Sequence, residues 1–216
     1  MTVDGILDDA AWSAAEWTPD FIDLRGRDRA PPAQRTRAKL LWDDRHLYVA
    51  AELTDRDVWA TLRRRDDMLY RENAFEIFLD PDADGRQYAE LEVNPLNTVF
   101  DLTVTRPYRQ GGRADRGFTL SGLRTAVRVD GTLNDPRDAD GGWTIEIAIP
   151  WSSLRGRGIA PDDLLPPRPG SRWRVQLARA SRARDEENGT ITAWSPAGSM
   201  DLHLPLTWGW VEWVER

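Results

Sequence analysis

The stretch Phe75-Glu76-Ile77-Phe78-Leu79, the turn residues 80–86, and the return Tyr88-Ala89-Glu90-Leu91-Glu92-Val93-Asn94 decide the fold. Apolar and polar residues alternate with period two on both sides of an Asp/Gly-rich turn, which is the pattern of an antiparallel hairpin. In the return strand Ala89, Leu91 and Val93 share one face, and Tyr88, Glu90, Glu92 and Asn94 share the other. The sequence therefore predicts a sheet with one apolar and one polar face, the polar one offering room for a site. Working outward, Lys39-Leu40-Leu41-Trp42, the turn Asp43-Asp44-Arg45 and His46-Leu47-Tyr48-Val49-Ala50-Ala51-Glu52-Leu53 give a second hairpin. Further strands are predicted over 99–105, 124–129, 143–149, 173–180 and 208–214. Such spacing suits an all-β, two-sheet antiparallel sandwich of the jelly-roll kind. One short helix is predicted over 8–15 with Asp8 as its N-cap, a turn over 152–154, and a Pro/Gly-rich surface loop over 156–170.

Composition narrows the function. The chain has 216 residues, a size that β-sandwiches commonly reach as one domain. With no cysteine it has no disulfide framework, Cys-based zinc site or thiol nucleophile. Its 36 acidic and 29 basic side chains leave a net charge of −7, contrary to the basic face that nucleic-acid binding needs. The opening Met1-Thr2-Val3-Asp4-Gly5 lacks the basic and apolar segments of a signal peptide, so none is expected in this chain. No apolar run approaches the length of about eighteen residues that suggests a membrane span, so no membrane partner is expected. No feature sets an oligomeric state.

Four segments, in order, carry a family resemblance: Asp4-Gly5-Ile6-Leu7-Asp8-Asp9-Ala10-Ala11-Trp12, Leu41-Trp42-Asp43-Asp44-Arg45-His46-Leu47-Tyr48-Val49, Asn73-Ala74-Phe75-Glu76-Ile77-Phe78-Leu79-Asp80 and Gly142-Trp143-Thr144-Ile145-Glu146-Ile147-Ala148-Ile149-Pro150-Trp151. Together they resemble the family 9 carbohydrate-binding modules over nearly the whole chain. The resemblance implies one carbohydrate-binding sandwich domain over 1–216, with Trp12 anchored into it. It also implies non-catalytic binding of a saccharide in the breakdown of polysaccharides such as xylan or cellulose, in an extracellular or periplasmic setting. By the same resemblance Tyr70 is an aromatic wall for a sugar ring, Glu76 and Asn94 hold hydroxyls, and Gln176 is a further polar contact. Glu92 stands where sugar-binding members carry an arginine, and the second wall falls to Leu202 or His203 in place of a tryptophan. These departures leave a different glycan, a different geometry or a lost site as the readings.

Aromatic faces stack on pyranose rings, and the chain has 11 Trp, but Trp12, Trp42, Trp143 and Trp173 lie among apolar neighbours and read as core. Tyr70, in a polar segment just before a strand, is the better candidate wall. Asp80, Asp82 and Asp84, followed by Gly85, have the alternating spacing of a calcium loop, although no Glu stands at the twelfth position. The family resemblance implies structural Ca²⁺ as well. Asp135, Asp138 and Asp140 form a weaker set of the same kind. The competing readings are a glycosidase with paired carboxylates drawn from Glu76, Glu90 and Glu92, and a b-type haem sandwich. For haem, Met68, Met200, His46 and His203 supply ligand types, but nothing places two of them on facing strands.

Overall fold

The structure, a computed structural model, describes residues 1–156, 158–184 and 189–215. Its strands are β1 (Ile22–Asp23), β2 (Thr36–Trp42), β3 (His46–Thr54), β4 (Ala74–Asp80), β5 (Tyr88–Val93), β6 (Val99–Val104), β7 (Ala114–Asp115), β8 (Arg124–Asp130), β9 (Gly142–Pro150), β10 (Arg172–Ser181), β11 (Thr190–Ala193) and β12 (Gly209–Glu212). They form two antiparallel sheets. One runs β1-β11-β10-β4-β5-β6-β7, with β12 sharing the β11 edge of β10, and the other runs β2-β3-β9-β8. The two expected hairpins are β2–β3 and β4–β5, in the register that alternation requires, with Ile77 opposite Leu91 and Leu41 opposite Tyr48.

The inward faces meet in one core. Phe75, Ile77, Leu79, Leu91, Val93 and Leu177 pack against Val49, Leu53, Ile145, Ile147 and Ile149. One end of that core is filled by three indoles, Trp151, Trp173 and Trp213, whose ring centroids lie 5.0–5.6 Å apart in edge-to-face pairs, the arrangement the ring quadrupoles favour. Trp42 packs on Trp213 from the half-buried rim.

The helical segment is shorter than its composition suggests. α1 spans Ala10–Ala14, and neither Asp8 nor Asp9 caps it through a side chain, because the Asp9 carboxylate accepts the Thr2 backbone N–H. What holds α1 is tertiary. Trp12 is buried against the outer face of the smaller sheet, and its Nε1 donates to Glu146.

The larger sheet departs from the sequence reading more substantially. Every residue of β4, β5 and β6 is buried, so the polar face of the hairpin is not solvent-facing. Loops cover it, and a second apolar cluster forms there from Phe78, Tyr88, Phe100, Leu102, Leu69, Leu202 and Trp208. Period-two alternation identified the face but not its cover.

Candidate ligand-binding site

The cover is incomplete over the middle of the sheet, where a cavity of about 690 Å³ opens. Its floor is set by strand register. Glu76 on β4 lies directly opposite Glu92 on β5, and Glu90 is two residues along the same face. Like charges directly opposite one another destabilise a strand pair, yet here three carboxylates bring ligand oxygens within 4.8 Å of one another. All three are nearly inaccessible, Glu92 entirely so. Glu76 Oε1, Glu90 Oε2 and both Glu92 oxygens lack a hydrogen-bond partner. Among the described residues no arginine or lysine comes within ion-pair distance of them, and the nearest cationic candidate is His203, with Nε2 4.0 Å from Glu90.

Burial without donors penalises the charged form. It pushes Glu76 up to about 8, with the Glu90 charge adding to the effect. Glu90 rises to about 7 for the same reason, moderated by Glu92 and by Arg116. Glu92 is raised well above the usual carboxylate range by burial and then by Glu76 and Glu90, while the backbone N–H of Tyr70 pulls the other way. His203 is lowered to about 4 by burial and is a neutral imidazole at pH 7. Its Nδ1 lies 3.1 Å from the Tyr88 hydroxyl.

Two half-exposed rings stand over this floor. Tyr70 projects from the turn before β4, and Tyr108 from the turn after β6. Both line the cavity. Tyr108 packs edge-on to His203, their centroids 4.4 Å apart. The rest of the wall is mixed: Phe100, Leu102, Met200 and Leu202 are apolar, Arg113 and Arg116 basic.

Four of the six expected ligand residues, Tyr70, Glu76, Glu92 and His203, thus meet in one cavity. The other two do not line it. Asn94 sits on the expected face, but its Oδ1 accepts the Leu96 and Thr98 backbone N–H groups and its Nδ2 donates to the Leu62 carbonyl. All its polar atoms are occupied in fixing the β5–β6 turn. Gln176 is buried on β10 and donates to the Ser195 carbonyl. Leu202 and His203, the expected second wall, line the cavity too, and so does Tyr108, a ring that the sequence reading did not single out. The signal for it was the same one that singled out Tyr70, an amphipathic ring in a polar turn, here after Pro107. Arg116 had no such signal.

Asp80, Asp82 and Asp84 also converge, with ligand oxygens within 4.8 Å of one another. Gly85, at φ 77°, turns its N–H onto Asp80 Oδ2, while Asp80 Oδ1 is buried without a partner. Burial, aided by the neighbouring aspartates, raises Asp80 to about 7. An orphaned buried oxygen beside two exposed carboxylates suits a hard cation. The weaker set does not converge. Asp140 accepts the Val58 and Thr132 N–H groups, and Asp135 pairs with Arg137.

A two-sheet sandwich with an aromatic-walled cavity on the outer face of one sheet is the build of a ligand-binding β-sandwich module. The chain belongs to the family described as carbohydrate family 9 binding domain-like, whose model matches residues 3–215. Among curated proteins it is 26% identical over 152 residues to the exoglucanase XynX of Acetivibrio thermocellus and to the endo-1,4-beta-xylanase A of Thermoanaerobacterium saccharolyticum. Those matches cover 70% of this chain but only 12% and 11% of the relatives, so the chain spans a small part of their length. Among solved structures it is similar to a family 9 carbohydrate binding module from Caldicellulosiruptor kristjanssonii in complex with cellotriose (TM-score 0.65, 19% identity, 100% of this chain and 90% of that one). A Bacteroides uniformis protein superposes with TM-score 0.70 at 14% identity, over 93% and 87% of the two chains. At such identities the likeness shows the fold.

Proposed function

We propose that this chain is a non-catalytic module that binds a saccharide in the cavity above Glu76, Glu90 and Glu92, in the service of polysaccharide breakdown. The observation that carries the reading is the pairing of two half-exposed tyrosines with an acceptor-rich floor. Rings hold the apolar faces of a sugar, and carboxylates hold its hydroxyls. The family membership and the cellotriose-bound neighbour support the same reading. A catalytic role fits less well, because a glycosidase needs carboxyls on either side of the scissile bond, whereas these three crowd onto one floor. We further propose that Asp80, Asp82 and Asp84 hold a structural Ca²⁺ at the β4–β5 turn.

The test is calorimetry with the best saccharide from a glycan array. Tyr70→Ala and Tyr108→Ala should each weaken binding by about 1 kcal/mol, the scale of an aromatic contact. A wild-type protein that takes up no saccharide, or tyrosine variants that bind as wild type does, would place the site elsewhere.

A further inference from the structure

Three buried carboxylates that no arginine or lysine pairs among the described residues call for a cation. We infer that the saccharide taken by this cavity carries a protonated amine, an amino sugar whose ammonium group seats among Glu76, Glu90 and Glu92 while its ring lies between Tyr70 and Tyr108. The inference rests on the saccharide reading above and specifies its ligand class.

Geometry supports an ammonium first. It has three N–H donors in tetrahedral directions, and acceptors about 2.8 Å from one nitrogen in those directions lie about 4.6 Å from one another. The floor presents one oxygen from each of three carboxylates within 4.8 Å. Each of the three also carries at least one oxygen left without a partner, on side chains at most 5% exposed. A buried carboxylate that nothing in the protein satisfies is costly to keep, so a ligand that supplies its donors gains affinity from the same desolvation.

The surroundings decide between an ammonium and a bare metal ion. A calcium ion takes six to eight oxygens, whereas beyond the three carboxylates the side chains lining this cavity add only the Asp201 carboxylate and the Tyr70 and Tyr108 hydroxyls, the others being apolar, such as Phe100, Leu102 and Ala180, or the nitrogen groups of His203, Arg113 and Arg116. A metal would also leave the two tyrosines and about 690 Å³ unexplained. An amine on a sugar ring uses floor, walls and volume together, since aromatic faces attract both the ring's C–H groups and a nearby cation. Arg113 and Arg116 stay on the wall, and Arg116 influences Glu90 only through space. Because the carboxyls hold protons when the cavity is empty, seating a cation there must drive protons off.

Calorimetry on the whole chain would compare fully deacetylated glucosamine oligomers with their N-acetylated counterparts, cellotriose, spermidine and CaCl2. The amino sugar should bind at least ten-fold more tightly than the other two saccharides, with proton release seen as an enthalpy that varies with the buffer. Glu92→Gln should abolish that preference while leaving weak binding of the neutral sugar. Glu90→Gln should do the same and guards against a folding defect in the first variant. Equal affinity for amino and neutral sugars overturns this inference and leaves the saccharide reading standing. Spermidine binding as tightly as the amino sugar, or calcium alone bound through Glu92, also overturns it. Failure of every saccharide removes both readings.

Discussion

Glu146 and Glu92 lie at comparable places in the two sheets. Each sits mid-strand, points away from the central core and is covered by chain from elsewhere, Glu146 on β9 being 1% exposed and Glu92 on β5 fully enclosed. Their environments are opposite. Glu146 Oε1 accepts the Trp12 indole N–H at 2.6 Å, and its Oε2 accepts the backbone N–H groups of Asp4 and Gly5 at 2.9 and 2.8 Å. Gly5 can come so close because it holds φ 85°, and a Cβ there would meet the Arg128 nitrogen at 2.9 Å. Neither Glu92 oxygen is hydrogen-bonded, and the Tyr70 backbone N–H is the smallest of the influences on it. A buried carboxylate given three donors fastens the amino-terminal segment to the sandwich; one left unbonded, beside two others and under an open cavity, is where we propose the ligand seats.

Glu146→Ala is the largest effect expected, because it strands three donors that had a charged acceptor. Stability should fall by about 3 kcal/mol or more, read as a lower denaturant midpoint. A loss under about 1 kcal/mol would mean that water replaces the carboxylate easily and that the contrast with Glu92 is weak.

The opposite sign is expected for Glu92→Gln without ligand at pH 8. Removing a carboxyl that burial forces to keep a proton the unfolded chain has released at that pH should raise stability by on the order of 1 kcal/mol. A destabilised variant would show that Glu92 has a structural partner after all.

The pH dependence sharpens the comparison. Glu76 at about 8 and Glu90 at about 7 lie above the ordinary value of 4.5, so between these limits the native state keeps protons that the unfolded chain has lost. Their contribution to stability is full below about 4.5 and is lost as pH rises through 7 to 8. Asp80, raised to about 7, acts in the same sense. His203, lowered from 6.5 to about 4, acts oppositely, since the unfolded chain takes up its proton first as pH falls. Above about 6.5 the histidine contribution is constant, and the carboxyl slope stands alone among these groups. Wild-type melting temperature should therefore decline from pH 6.5 to 8, and Glu90→Gln, which removes one titrating carboxyl and relieves Glu76 of the Glu90 charge, should flatten the decline. Arg113, Arg116, Tyr70, Tyr108 and Asp201 also face the cavity, and the difference between the two proteins cancels their share to first order. Parallel curves would disconnect the cluster from stability.

The smallest effect concerns Asp80, an intermediate case with one oxygen bonded and one bare. Excess chelator should lower the melting temperature by a few degrees if Ca²⁺ joins Asp80, Asp82 and Asp84, since an ion bound only to the native state stabilises it. Identical melting curves with and without chelator would reduce the motif to an Asp-Gly turn.

Much of the fold was legible because alternation is a local property. The β4–β5 register, the β2–β3 hairpin and the inward set from Phe75 to Val93 follow from period two alone. The two-residue strands β1 and β7 were not legible, being too short to show any period. The helix at 8–15 was overestimated, because its alanines favour helix while the N-cap position falls on Asp9 instead of the expected Asp8, and the Asp9 carboxylate is taken by Thr2. In the cavity, Tyr70 and the acidic face could be read from the sequence, but Tyr108 was passed over, and the hydrogen bonds of Asn94 to Leu62, Leu96 and Thr98 were not legible.

The sequence by itself determined which side chains share a face, and so placed Glu76, Glu90 and Glu92 together and set the apolar faces against each other. Only the tertiary structure decided that this polar face is roofed over, that the cavity left in the roof is lined by Tyr70 and Tyr108, and that Asn94 bonds to Leu62 and to its own turn. The reason is range. Alternation operates between residues two apart, whereas a buried carboxylate is satisfied or left bare by donors from distant chain, and those of Glu146 come from 134 to 142 positions away. No local pattern in either strand distinguishes Glu146 from Glu92; the arrival of Trp12, Asp4 and Gly5 as hydrogen-bond donors to the one, while both oxygens of the other stay unbonded, does.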